Sequence, residues 1–396
     1  MQSHISNIKF LGGLLLAALL ASSPRGFAQA SAAPYAVVPR DEVNYSGPGR
    51  DADHDLQGPD IKIGLLAPLS GPQADEGKAL LESAQLAIED DAATPLPGGR
   101  RLSIVPRDQS GLGGRASSQI VQFVYEDRAV AIVTSAEGGS AHLAEQVGNK
   151  VGIPILTLST DPTTTQINLP WIFRLGPTDT QQARVFARDI YLARKLKQVV
   201  LITDNDHDGR VGGEEFRRAA RASNAPLVRP MTIDTAGWSP DSVAGQIKAQ
   251  EPEALVFWTG YEIAARLAPL LRQALPAAPI YLCREAAQGG WGMNQENIWI
   301  VSPQVAASPM RESFERHYRA RTEAFPSPAA AQTYDAIRLL NAALRRSGPN
   351  RARLRDALAG LSSFAGVSGV IAFDHAGNDL SDITLVAFPS GEGIPQ

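Results

Sequence analysis

"IKIGLLAPLSGPQADEGKALLESAQLAIED", residues 61–90, decides the fold. It opens on an apolar run, "IKIGLL", passes through a Pro/Gly turn, and ends in a stretch that aligns Leu81, Ala84 and Ile88 on one helical face. Parallel strands need a crossover, and the crossover helix covers the sheet. A strand buried on both faces therefore reads as a nearly continuous apolar run, as this one does.

The same unit recurs on both sides of "WIFRLGPTD" (171–179). Before it come strand "LSIV", a helix at 115–126, strand "AVAIV", a helix aligning Leu143, Val147 and Val151, and strand "IPILTL". After it come a helix at 181–195 aligning Ala183, Phe186, Ile190 and Ala193, strand "QVVLIT", a helix near 214–222 and a strand near 227–232. Strand "ALVFW", a helix at 262–275 and strands "PIYLC" and "NIWIV" complete this series. The tail adds helices "AAQTYDAIRLLNAAL" and "RARLRDALAGL" and strands "GVIAF" and "ITLVAF", too little for a third domain. The expected fold class is α/β, with two doubly wound parallel-sheet lobes sharing the tail. Ligands of open parallel sheets meet the loops at the carboxyl ends of the strands, which selects loops 67–77, 134–140, 159–165, 204–213, 259–262 and 284–290.

Residues 1–30 read as a secretory signal peptide. Lys9 precedes an apolar run from Phe10 to Ala21, too short to span a bilayer, and "AQA" at 28–30 is a small-x-small cleavage site. Cleavage there leaves 366 residues (396 minus 30) starting at Ser31, enough for two domains. The absence of cysteine near the cleavage site argues against a lipoprotein. Residues 31–60, rich in Pro, Gly and Asp, read as a flexible or loosely docked extension. A net charge of −4 and pI near 5.9 argue against nucleic acid as a partner. The single cysteine, Cys283, excludes an internal disulfide and reads as a buried strand end rather than a nucleophile. The six histidines (4, 54, 142, 207, 317, 375) show no ligand spacing, and no catalytic or phosphate-binding motif occurs. "GLGGR" (111–115) does not fit a dinucleotide turn.

"TDNDHDGRVGGEE" (203–215) matches a calcium loop, with Asp204, Asp206, Asp208, Gly209 and Glu215 in the required positions. A strand rather than a helix precedes it, which an EF-hand does not allow. A calcium or lanthanide ion held by Asp204, Asp206, Asp208 and Glu215 stays open as the alternative to an unoccupied cleft-side loop.

Taken in order, "IKIGLLAPLSGPQADEGKALLESAQLAIED", "AVAIV", "VGIPILTLST", "WIFRLGPTDTQQA", "VVLITDNDHDGR", "FWTGYE" with "LLRQA", "YLCREA" and "AQTYDAIRLLNAAL" resemble the periplasmic receptors of branched-chain amino acid ABC importers, the Leu/Ile/Val-binding-protein family. Within that family the acidic substitutions and polar extension look most like receptors that accompany quinoprotein alcohol-dehydrogenase systems. The resemblance implies a type I periplasmic binding fold, or Venus flytrap, with crossings near 176–180, 301–304 and 362–368. The lobes would be 61–178 plus 304–362 and 179–303 plus 363–396. It implies a monomeric, non-enzymatic periplasmic receptor, without a cofactor, that hands a small ligand to an inner-membrane permease and ATPase. A sensor of the same fold is the alternative.

By the same resemblance, Glu285 is the acid for the ligand's ammonium and Tyr261 the cleft tyrosine. Gly138, Ser140, Ser159 and Thr160 belong to loops that hold its carboxylate. Asp161 replaces a threonine, and Glu76 and Asp208 replace aromatic residues. Gly138 replaces a serine; leaving out the neighbours Ser140 and Thr160, seven positions are matched, and the four acids among them, Glu76, Asp161, Asp208 and Glu285, should repel one another and resist ionisation unless a cation compensates. A cationic organic solute or a hard metal ion then fits better than leucine, unless Arg210 and Arg284 pair with these acids.

Overall fold

The computed structural model describes residues 35–37, 47–93, 95–110, 115–165, 171–226, 228–288, 296–303 and 308–388; the expected leader lies outside these residues. After β1 (Tyr35–Val37), the first sheet is built from β2 (Asp60–Ala67), β3 (Arg101–Asp108), β4 (Ala131–Thr134), β5 (Ile155–Thr157) and β6 (Ile172–Arg174). All pairs are parallel, in the order β3-β2-β4-β5-β6. Helices α1 (Ala74–Asp90), α2 (Arg115–Tyr125) and α3 (Gly138–Val151) are its crossovers.

β2 shows why the apolar run is nearly unbroken. Ile61, Ile63 and Leu65 face the core under α1, whereas Leu66 faces the core under α2 and α3. Both faces are covered from Ile63 onward, so Ile63 to Ala67 are buried in turn, whereas Asp60 and Lys62 are exposed. On α1 the buried stripe runs through Leu80, Ala84 and Ala87; Leu81 and Ile88, expected on that stripe, flank it half-buried.

The second sheet combines β7 (Val199–Asp204), β8 (Arg229–Ile233), β9 (Ala254–Trp258), β10 (Ile280–Leu282) and β11 (Ile298–Pro303), all in parallel. Its helices are α4 (Asp179–Ala187), extended by a π-helical stretch at Arg188–Ala193, then α5 (His207–Ala222), α6 (Pro240–Lys248) and α7 (Tyr261–Ala274). The tail follows as α8 (Pro309–Thr322), α9 (Pro328–Ser347), α10 (Arg351–Ala359), β12 (Leu361–Ala365), β13 (Val370–Ile371) and β14 (Ile383–Ala387).

Three expectations change. α5 begins at His207, not near 214, because the Asp206 carboxylate accepts the Gly209 N–H at 2.7 Å and caps a first turn hidden in sequence by glycines. One of these, Gly212, lets α5 lie against Trp258; a Cβ there would collide with the indole. Next, the tail stays with the first lobe beyond residue 362. Phe364, Val367, Ile371 and Phe373 share a core with β2, α1, α8 and α9, and β14 alone joins the second sheet, antiparallel to β11. The third crossing thus lies between Asp379 and β14, not at 362–368. Finally, the extension is docked where it is described. β1 pairs with β12, Asp55 forms an ion pair with Arg353 at 2.7 Å, and the Asn350 side chain donates to the Gly49 and Asp51 carbonyls.

Phe364→Ala should therefore cost about 3–5 kcal/mol in urea unfolding. Hydrogen exchange should show the lost protection in α1 and α9 of the first lobe; loss confined to β10 and β11 would restore the boundary at 363.

Candidate functional site

The two switch points, between β2 and β4 in one sheet and between β7 and β9 in the other, bring the selected loops together. Glu76 lies in the first turn of α1, Gly138 and Ser140 open α3, and Ser159, Thr160 and Asp161 follow β5. From the second lobe, Asp208 lies in the first turn of α5, Tyr261 is the first residue of α7, and Glu285 follows β10. Cys283 is buried beside them. Its Sγ receives the Ala286 N–H, and burial pushes the thiol well above its ordinary pKa, as expected for an unreactive strand end.

The groups expected to hold a ligand carboxylate are already engaged within the chain. Asp208 reaches across from the second lobe and accepts the Gly138 N–H at 2.9 Å. A Cβ at Gly138 would collide with that carboxylate, so the approach needs glycine. Glu137 accepts the Ser140 N–H at 3.1 Å as the α3 cap. The Ser159 hydroxyl accepts the Asp161 N–H at 3.2 Å, and the Thr160 side chain bonds Asp179. The start of α3 is an anion seat by helix polarity. Two carboxylates of the chain itself occupy it.

The remaining acids are poorly compensated. Burial raises Glu76 to about 7. Burial, and the charges of Asp208, Asp206, Glu76 and Asp179, push Glu285 well above the carboxylate range. Asp208 is raised likewise, by burial first, despite the Gly138 N–H. Asp204 rises to about 7 through burial and its neighbour Asp206; one oxygen accepts the Gly260 N–H at 2.8 Å and the other, Oδ1, is buried without a partner. The arginines that would neutralise this group are directed elsewhere. Arg210 donates to the Asn205 carbonyl at 2.5 Å, and Arg284 donates to Gln332, the acid that favours its charge being Asp379.

Asp161 departs from the expected repulsion. Burial alone would raise it, but His142, His207 and Thr163 outweigh burial and hold its carboxyl far below the usual range. Its Oδ2 meets His142 Nε2 at 3.0 Å and His207 Nε2 at 2.7 Å. Arg174, fully buried, donates to the Ser159 and Asp161 carbonyls and to the Thr164 and Thr165 hydroxyls, fixing this loop. The histidines lie 65 positions apart (207 minus 142) on different helices, and Arg174 sits inside a strand, so no spacing in the sequence could mark them.

The calcium-loop match does not survive as geometry. Residues 207–215 are helical, Asp206 is spent on the helix cap, and Glu215 accepts from Thr180 at 2.8 Å and from Arg218 at 2.6 Å. Asp204, Asp206, Asp208 and Glu215 are not gathered around one point; among the described residues the donors that are gathered belong to His142, Asp161 and His207.

The periplasmic binding protein family model matches residues 60–384. The chain belongs to the periplasmic binding protein family. Among its relatives, a Leu/Ile/Val-binding protein of Rhizobium johnstonii is 23% identical over 73% of this chain and 80% of its own. An "Amino acid binding protein" of Pseudomonas aeruginosa is 30% identical over 38% of this chain; the match spans 41% of that protein, less than half its length. The substrate-binding protein LivJ of Streptococcus pneumoniae, solved with isoleucine, superposes with a TM-score of 0.72 at 24% identity, covering 82% of this chain and 95% of that one. A solute-binding protein from R. palustris, solved with benzoate, gives 0.74 at 21% identity over 84% and 94%. These structures establish the type I fold for this periplasmic binding protein.

The raised acids set a pH dependence. Between their unfolded values near 4 and the folded values of about 7 for Glu76 and Asp204, the native state holds protons that the unfolded chain has lost. Stability is then highest at the acid end of this window and falls as pH rises through it. His142, raised chiefly by its bond to Asp161, acts in the same direction above its ordinary value of 6.5. Ligand-free protein should lose urea resistance from about pH 5 to about pH 8, less so in Glu76→Gln. Rising stability across that range would mean that the acids are paired.

Proposed function

We propose that this periplasmic binding protein is the receptor of an ABC importer for a small organic cation that carries no free carboxylate. The observation that carries the reading is the Asp208 carboxylate on the Gly138 N–H: the anion seat is filled from within, while the charges of Asp208 and Glu76 lie close enough to Glu285 to raise it. A cation arriving among them lets these acids ionise, so binding gains the Coulomb attraction that the empty cleft cannot use. A ligand carboxylate would instead meet Asp208 and Glu137.

Two buried oxygens without partners support the same location. Asp204 Oδ1 ends β7 and Thr259 Oγ1 follows β9. Both can accept hydrogen bonds from a protonated amine. Glu285 is the ammonium partner in this reading, and Tyr261, half-buried at the start of α7, is the aromatic ring offered to the cation. The lobes close on the solute by hinge motion about the three crossings, and the closed receptor passes it to the permease without chemical change.

A thermal-shift panel in the presence of EDTA tests this reading. Primary amines should stabilise the protein, by about 2.7 kcal/mol at ~100 Kd for the true ligand. Leucine and benzoate should not. Glu285→Gln should weaken the best amine by about 10- to 100-fold, as expected for the loss of a charged hydrogen bond, with the fold retained. Stabilisation by leucine or benzoate and by no amine would overturn the proposal.

A further inference from the structure

We propose a second site in the cleft, for a divalent transition-metal ion, formed by His142 Nε2, Asp161 Oδ2 and His207 Nε2. These three donor atoms lie within 4.8 Å of one another. Both imidazole nitrogens converge on the same carboxylate oxygen, at 3.0 and 2.7 Å, and His142 Nε2 also meets the Thr163 hydroxyl at 2.7 Å, a bond the ion would replace. The other oxygen, Oδ1, is held by the Thr163 N–H at 2.8 Å and its hydroxyl at 2.7 Å, so the carboxylate is locked with Oδ2 facing the histidines. Asp161 is 1% exposed, and the two rings stand edge to face at 5.4 Å.

A second observation concerns the far side of His142. The Glu145 carboxylate, only 4% exposed, lies 3.6 Å from His142 Nδ1. A metal-bound imidazole coordinates through one nitrogen and donates its other N–H to a carboxylate, which fixes the ring and increases its basicity. Glu145 is placed for that role, and nothing in the organic-cation reading calls on it.

Two imidazoles and one carboxylate suit zinc, cobalt or nickel rather than calcium or a lanthanide, which require about six to eight oxygens. Metal–ligand bonds of about 2.0–2.1 Å place neighbouring donors roughly 3.3 Å apart, so each imidazole needs to move less than about 1 Å from Asp161 Oδ2. Three protein ligands leave a fourth position for water. The ion displaces the protons that Asp161 shares with the two rings. His142 and Asp161 belong to the first lobe and His207 to the second, so the ion staples the lobes.

The test uses chelator-stripped protein and metal alone, with no organic solute, so it is independent of the amine panel. Zinc chloride is titrated by calorimetry and cobalt chloride by visible absorption. One equivalent of each should bind. His142→Gln with His207→Gln should weaken zinc at least about 100-fold, and Glu145→Gln about 10- to 100-fold. His317→Gln, which changes a surface histidine far from the cleft, should bind like the wild type. His207→Cys should retain cobalt and add a near-ultraviolet thiolate-to-metal band, a gain that loss of folding cannot mimic. Absence of one-equivalent binding in the wild type, zinc binding retained in the double variant, or a His207→Cys complex without the thiolate band would overturn the site.

Discussion

The cleft is organised by the cost of burying carboxylates. Several acids from both lobes converge at the carboxyl ends of the strands, and each must be paired, protonated or hydrogen-bonded, because an isolated buried charge is not tolerated. The chain uses different solutions at different positions. Asp161 is paired with two imidazoles, Asp208 takes a backbone N–H from the opposite lobe, and Glu137 caps a helix. Glu76 and Glu285 have no such partner among the described contacts and stay protonated more readily than free acids. The two buried arginines nearby do not relieve them. Arg174 serves backbone carbonyls and hydroxyls, and Arg284 serves Gln332; burial lowers each to about 10 while leaving it charged at neutral pH.

The same bonds tie the lobes together. Gly138 and Asp208 meet across the cleft, and His207 reaches Asp161 from the start of α5. Both second-lobe groups sit in one helical turn whose capping residue is Asp206. The turn that sequence reading offered as a metal loop thus contributes its charge to closure. A cation in the acid group and a metal on the histidines would act on one hinge through separate contacts, since Asp161 is compensated and Glu285 is not.

The fold was legible because burial on both faces leaves an apolar run, and "IKIGLL", "AVAIV", "ALVFW" and "PIYLC" each become strands of the expected kind. The position of the acids was legible for the same reason, since the carboxyl-end rule depends on topology alone. What pairs with them was not. The His142–Asp161–His207 group joins three elements that touch only after both lobes have formed. The start of α5 was obscured by Gly209, Gly212 and Gly213, poor helix formers that close packing against Asp204, Trp258 and Thr203 respectively requires. The boundary after residue 362 failed because β12 and β13 form a small separate sheet with β1, which no period in the tail announces.

Proton release on binding tests the account most directly. If a cation enters a cleft whose acids are held protonated, its binding must lower their pKa values and expel protons. The amine that stabilises the protein most should be added, matched in pH, to weakly buffered protein near pH 6.5, below the value of about 7 for Glu76 and Asp204, and the released acid titrated. Release should be clear in the wild type and smaller in Glu76→Gln and Glu285→Gln. Binding with no proton release, or with proton uptake, would contradict the account.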